Sequence, residues 1–507
     1  MALKIKYLLL FLIPAALLVN ISYNNKTEFG QDPNYIYLCN ALNLASHSGP
    51  VNTYVNPGTT VVELSAVIMK ISYLFRTTKD DISTDVLKNP QYYIKIIVRT
   101  FDVMNSVLIL LLGLFILRMT HELTYSLLFQ SIPMFSGSTI EWCFQSLCPE
   151  PVIFAAVIVF VMLFLWKFYF NNPFGEVNIK YFKNKEIRID KFIILFGILM
   201  GFCLVTKINT IPLIILPLLF IPEFKNKCIF LLTLFVSFFV FSLPIQHHYK
   251  IMMSWYLRTI SHTDLYGSGN AGFIDPGSFA TNFLVTMKSD RIILFVIMIS
   301  LLIVILQIIR KKNDIHLKIL SILVLVQLID LLMVLKHFNL HYFIPIVPTL
   351  AVNVFIILQM FKVPEVVKFG LIVPFVAASI YLNKNIEKYV PDLYDSNYPS
   401  DGINVFSYKC KSPVYALKFG DDESGNANSG KLKNLYGNYF FYDITMKKFS
   451  TWDYTITLDS LFRMNSKVYL HALDYYMKEL PPPFGIRFIS EGLYLIDNTK
   501  HDSLKVK

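Results

Sequence analysis

Charge is scarce in this chain: 16% of its 507 residues are Asp, Glu, Lys or Arg, where a soluble domain carries about a quarter. That shortage excludes most water-soluble folds. Cysteine is scarce too. Six in a chain this long cannot form a disulfide framework, and no Cys-x-x-Cys pair points to zinc or redox chemistry. Cys143 and Cys148 flank a short stretch and could pair in an oxidising compartment. No fixed-period repeat and no low-complexity tract is present, which excludes solenoids, collagen and long coiled coils. No basic patch is interleaved with stacking aromatics, so nucleic acid is not an expected partner. The 43 Phe lie mostly in apolar blocks.

What the chain has in abundance is apolar sequence. Hydrophobic residues make up 54% and the mean hydropathy is +0.51. They gather into blocks at 7–23, 102–118, 121–136, 151–170, 191–207, 209–222, 226–244, 290–309, 317–335, 342–361 and 366–383. Roughly 20 apolar residues cross a 30 Å hydrocarbon core, so these blocks predict about eleven spans. The fold expected is an all-α polytopic membrane module over 1–383. A mixed α/β domain over 384–507 follows, where stretches such as NYFFYDIT, DYTITL and IRFISEGLYLI read as strands. Lys4 and Lys6 precede the first block, and without a small-x-small cleavage site it reads as an uncleaved first helix.

The formal charge is +11. Cytoplasmic loops rich in Lys and Arg account for such an excess. With the N-terminus inside, they hold Arg118, then Lys180, Lys183, Lys185 and Arg188, then Lys225 and Lys227, then Arg310, Lys311 and Lys312, then Lys362. Parity then places 24–101, 245–289 and 384–507 on the outer side. The first contains YIYLCNALNLA and VVELSAVIMKISYLF, which suit amphipathic helices at a membrane face.

Candidate chemistry collects on that side. Asp32, just after the first block, is a candidate general base, although it equally suits an ordinary loop carboxylate. Glu150 opens the block at 151–170 at the same level, where a helix dipole also favours a carboxylate. Lys207, Arg99, Arg258, His262, Lys336, His337 and His341 bring cations and imidazoles, each of which could instead snorkel to the headgroups. Together they suit a phosphate-bearing lipid head. The Gly267–Gly272 run matches GxGxxG by letter, but no strand precedes it, so it is not a dinucleotide motif. His247 and His248 are adjacent and point apart on a helix, which disfavours a metal pair.

These residues together resemble the GT-C superfamily, the polytopic glycosyltransferases that use polyprenyl-phosphate sugars. The aminoarabinose lipid A transferases and protein O-mannosyltransferases (glycosyltransferase family 39-like) are the nearest groups. Four pieces carry the resemblance. Asp32-x-x-Tyr35 is followed by Asn56-Pro57-Gly58-Thr59-Thr60; Arg99 leads a span; Gly197-x-x-x-Gly201 is followed by Thr206-Lys207; and His337 to Pro345 reads HFNLHYFIP. Two departures stand out. Gln31 precedes Asp32 where the family often has paired acids, and His341 stands where it usually has Arg.

The resemblance implies a GT-C-like topology and an inverting transfer from a polyprenyl-phosphate donor to a lipid, glycan or protein acceptor. Asp32 would be the base, with Glu150 orienting the acceptor or binding a metal. Lys207, Arg258, His337 and His341 would hold the donor phosphate. Tyr35, Pro57, Gly58, Thr59, Arg99, His262 and Tyr342 would line the substrate cavity. No cofactor is certain, and a divalent metal is left open. The location implied is a bacterial inner membrane, with the active site and the C-terminal domain on the periplasmic side. An O-antigen polymerase or ligase, a lipid or solute transporter and a membrane scaffold remain as alternatives. Against the transporter, the spans are nearly free of mid-helix charge, Asp330 being the main exception, and no two-half symmetry is visible.

Overall fold

The structure is a computed structural model of the full chain. It describes all residues except 1, 24–30, 54–57, 172–175, 182–184, 264–266, 268, 273, 312–313, 385–397, 409, 411, 473, 480–481, 491 and 498–507. Pro57, Lys183 and Lys312 of the sequence reading lie outside the described residues. The chain forms two compact units. One comprises Met1–Asn25, Thr53–Val61 and Val98–Glu387; the other comprises Lys26–Asn52, Val62–Ile97 and Lys388–Lys507.

The first unit is helical. Five helices among the described residues are long and apolar enough to cross a membrane: Pro90–Thr120, Glu150–Tyr169, Phe224–Phe241, Arg291–Ile309 and Ile315–Lys336. This corrects the expectation of about eleven spans with GT-C-like topology. Composition overcounts because an apolar block is not always one helix. The 121–136 block breaks at Pro133 into Leu123–Ser131 and a turn over Ile132–Phe135. The 209–222 block carries Pro212 and Pro217 and yields the Ile208–Ile214 turn and the six-residue Ile215–Phe220 helix. Lys191–Thr206 has 16 residues and Val347–Met360 has 14, short of the roughly 20 that a straight crossing needs. Without the eleven spans, the loop-by-loop parity argument for sidedness loses its basis.

The predicted 245–289 loop is largely helical, over Tyr249–Ser261 and Pro276–Ser289. β1 (Glu176–Tyr181) and β2 (Lys185–Asp190) pair antiparallel between helices. The core is aliphatic and aromatic, with Phe160, Phe164, Phe168, Phe196 and Phe220 in mutual ring contact. A polar lattice crosses it. Gln327 donates to the Thr349 hydroxyl at 2.9 Å and to Asn353 Oδ1 at 3.1 Å, and Asn353 donates to the Ser300 hydroxyl at 3.1 Å. Three helices are thereby tied through groups that an apolar surround makes costly to leave unbonded.

In the second unit, both amphipathic stretches of the first loop form helices, Ile36–Ser46 and Thr59–Leu74. A mixed sheet follows from β3 (Ile403–Ser407), β4 (Phe440–Asp443), β5 (Lys448–Ser450), β6 (Thr455–Ile456), β7 (Val468–His471), β8 (Gly485–Ser490) and β9 (Leu493–Asp497). Its strand order is β6-β5-β4-β3-β7-β9-β8. β3 runs parallel to both β4 and β7, and the other pairs are antiparallel. Side chains alternate across the strands. Val405, Tyr442 and Leu470 face one core with Leu461 and Tyr494, while Phe406 and His471 stack on the other side. The helix Ile82–Lys88 is held by Asp85. This carboxylate accepts from Arg76 Nε at 3.0 Å and Nη2 at 2.8 Å, from Asn89 at 3.0 Å and from the Tyr93 hydroxyl.

Candidate functional site

Two polar centres carry the residues singled out in the sequence, one in each unit. The first is built on Glu150, the first residue of the Glu150–Phe164 helix, where the preceding Pro149 and the following Pro151 fix the helix start. Lys207 stands at the end of Lys191–Thr206 with extended backbone. Its ammonium donates to Glu150 Oε1 in a pair buried on both sides, with Glu150 2% and Lys207 4% exposed. The same ammonium lies 4.1 Å from the centre of the Tyr342 ring. His341 Nε2 is 3.5 Å from Glu150 Oε1. Its imidazole lies tilted against the Trp142 ring, with the ring centres 4.2 Å apart. Burial, with the Lys207 charge beside it, holds His341 down to about 3, and Glu150 only partly offsets this. The imidazole is therefore neutral, and the ion pair is between Glu150 and Lys207.

Gly58 comes to the same place. Gly58, at φ +52°, donates its N–H to the Thr206 carbonyl at 3.2 Å. Thr60 and Thr206 share a hydroxyl–hydroxyl bond of 2.7 Å. Asn209 donates to the Tyr342 carbonyl at 2.9 Å. Three separate motifs of the sequence thus meet around Lys207: Gly58-Thr59-Thr60, Thr206-Lys207 and His341-Tyr342. Cys143 and Cys148 flank this centre as free thiols, so the disulfide the sequence allows is not formed. Cys143 Sγ instead donates to the Glu150 carbonyl at 3.7 Å.

Arg258, His262 and His337 form a separate group. Arg258 Nε donates to the Gly267 carbonyl at 2.9 Å. His337 Nε2 lies 2.7 Å from the Thr259 carbonyl, and Lys336 donates to the Ile260 carbonyl at 2.5 Å. His262 bridges to Ala271. In this arrangement the imidazole and ammonium brace the end of the Tyr249–Ser261 helix. Arg99 is exposed on the Pro90–Thr120 helix.

The second centre surrounds Asp32, exposed in the turn over Gln31–Tyr35. The Pro413–Glu423 helix packs onto that turn. Any side chain on Gly420 would meet the Tyr35 carbonyl oxygen at 2.6 Å, so glycine permits the approach. Tyr35 itself is fully buried and accepts from Gln91 at 2.9 Å. The approach sets Asp32 beside an acidic run that sequence reading left unused, Asp421-Asp422-Glu423. Burial, then the charges of Asp32 and Asp443, push the Glu423 carboxyl up. Burial raises Asp422 to about 6 although Lys418 pairs with it at 2.6 Å. The triplet is visible in the sequence, but it lies some 390 residues from Asp32, and only the fold supplies that neighbour.

No family model matches the chain, and neither does any curated protein or solved structure. The resemblance to the polyprenyl-phosphate transferases therefore rests on the sequence motifs alone. Among the described residues, no group of three or more His, Cys, Asp or Glu side chains gathers at metal-ligand spacing.

Proposed function

We propose that the protein is a membrane glycosyltransferase that takes a sugar from a polyprenyl-phosphate carrier. The observation that carries this reading is the convergence of three motifs on Lys207. In the transfer, an acceptor oxygen bonds to the anomeric carbon while the bond from that carbon to the phosphate oxygen breaks. The sugar inverts, and the carrier phosphate leaves as an anion. It needs a cation but no proton donor. Lys207 is that cation, held in place by Glu150 and Tyr342. The acceptor proton goes to Asp32. The raised carboxyl of Glu423, which feels the Asp32 charge, supports an acid–base role, since neighbouring carboxyls with separated proton affinities are the usual arrangement for such chemistry.

The test uses full-length protein in nanodiscs, a panel of radiolabelled polyprenyl-phosphate sugars and candidate acceptors. Wild type releases carrier phosphate from one donor. Asp32→Asn binds that donor without turnover, and Lys207→Arg weakens donor binding. Full turnover by Asp32→Asn refutes the base assignment. Consumption of no donor by wild type refutes the transferase.

A second reading, a transporter, is favoured by one observation. Asp330 lies within the Ile315–Lys336 helix, is 0% exposed, and neither of its carboxylate oxygens has a hydrogen-bond partner among the described residues. Intramembrane carboxylates commonly mark ion or substrate paths. Substrate flux in proteoliposomes that is lost in Asp330→Asn, without carrier release in wild type, would select this reading.

A further inference from the structure

The start of the Arg291–Ile309 helix carries a feature that neither reading uses. A recess of about 390 Å³ opens there, and Phe135, Lys288, Asp290, Arg291, Ile292 and Phe295 are among the residues lining it. Two cations three residues apart share this one recess, and both are exposed. Phe295, one helical turn beyond Arg291, is also exposed and begins an apolar stripe that continues through Ile299 and Leu302.

Asp290 does not neutralise the two cations. It is 3% exposed, and its Oδ2 accepts from the Ser136 hydroxyl at 2.9 Å and from Ser138 at 2.8 Å. Its carboxylate is turned into the protein, where it ties the Ser136–Ser138 corner to the helix start. Ser136 also caps the Gly137–Phe144 helix. The recess therefore has an anchored wall, with two basic side chains and the apolar Phe135, Ile292 and Phe295 lining it.

Arg291–Ile309 is long and apolar enough to cross a membrane, so its first residue lies at headgroup depth. A phosphate fits the two cations, and an acyl chain fits the stripe below. We propose that this recess binds the phosphate of an anionic phospholipid, with Lys288 and Arg291 as ligands and Phe295 against the first chain carbons. This holds whether or not the glycosyltransferase reading does.

The ordinary alternative is that the two cations merely snorkel to any headgroup. The opposite end of the same helix supplies the control, because Arg310 and Lys311 are also basic and exposed there. Delipidated full-length protein is titrated with phosphatidylglycerol, phosphatidylcholine or polyprenyl phosphate and read by native mass spectrometry. Inorganic phosphate serves as a competitor.

Wild type is expected to bind phosphatidylglycerol ahead of phosphatidylcholine. The Lys288→Gln/Arg291→Gln variant loses on the order of tenfold in that affinity. Arg310→Gln/Lys311→Gln keeps it, and Phe295→Ala weakens the lipid without changing competition by inorganic phosphate. Unchanged affinity in the first variant overturns the proposal, as does equal loss in the control pair. Loss confined to polyprenyl phosphate overturns it as well. If the double variant does not fold, Lys288→Arg/Arg291→Lys, which keeps both charges, must bind as wild type does.

Discussion

The two polar centres handle charge in opposite ways. Around Lys207 the charges are of opposite sign, sit in contact and are buried. Around Glu423 the neighbouring charges, Asp32 and Asp443, are of its own sign, and the one cation close by, Lys418, is engaged by the half-exposed Asp422. The first arrangement is stable only while both partners are present, because an uncompensated buried charge is expensive. The second is uneasy as built, and its carboxyls respond by holding protons more tightly. A centre of the first kind fixes geometry. A centre of the second kind exchanges protons.

The contrast breaks most sharply at Lys207. Lys207→Met strands the Glu150 carboxylate and should cost roughly 3–5 kcal/mol, read as chemical unfolding in detergent. Adding Glu150→Gln should restore most of that loss, since neutral partners of similar size replace the pair. A double variant as unstable as the single would show that the pair is not what the first centre depends on.

The next effect belongs to the second centre. Gly420→Ala pushes a methyl against the Tyr35 carbonyl oxygen and should cost about 1–3 kcal/mol. It should also return Glu423 toward an ordinary carboxyl, measurable by carboxyl titration, because the packing that sets Asp32 beside it loosens.

A pH series sharpens the comparison inside the second unit. Burial raises Asp422 from 3.8 to about 6. The folded state then holds more protons than the unfolded chain, so this contribution is full below 3.8 and is lost as pH rises through about 6. Asp85 has the opposite sign. Burial raises it, but the Arg76 and Tyr93 hydrogen bonds outweigh that and hold it below the usual range. Its contribution is present above the ordinary carboxyl value and is lost as pH falls through the folded one. Asp422→Asn should flatten the slope between 3.8 and about 6, by a fraction of a kcal/mol given its exposure, and Asp85→Asn should flatten the acid limb. The smallest effect is expected at Lys467 and Asp401, paired at 2.5 Å with both side chains at least half exposed. Lys467→Ala should leave the thermal midpoint unchanged.

Part of this was legible in the residues. The helical, apolar character of the first unit, the helices in 24–101 and the strands after 384 all follow from local pattern. The span count did not, because Pro133, Pro212 and Pro217 divide apolar blocks that hydropathy reads as continuous. The candidate residues were nominated one at a time, and the fold sorts them. Glu150, Lys207, His341 and Tyr342 come together, whereas Arg258 and His337 brace a helix end instead. The acidic neighbour of Asp32 depends on packing between segments far apart in sequence, which no local pattern encodes.

Gly197 and Gly201 have a consequence for how the protein is made. A methyl on either would meet backbone of the Phe224–Phe241 helix, at 2.9 Å from the Phe230 oxygen and 2.6 Å from the Leu234 oxygen. The two helices therefore touch main chain to main chain, as small-xxx-small pairs do. A bulky residue at 201 should therefore part the two helices, and the loss should show as a lower yield of folded protein before either polar centre changes.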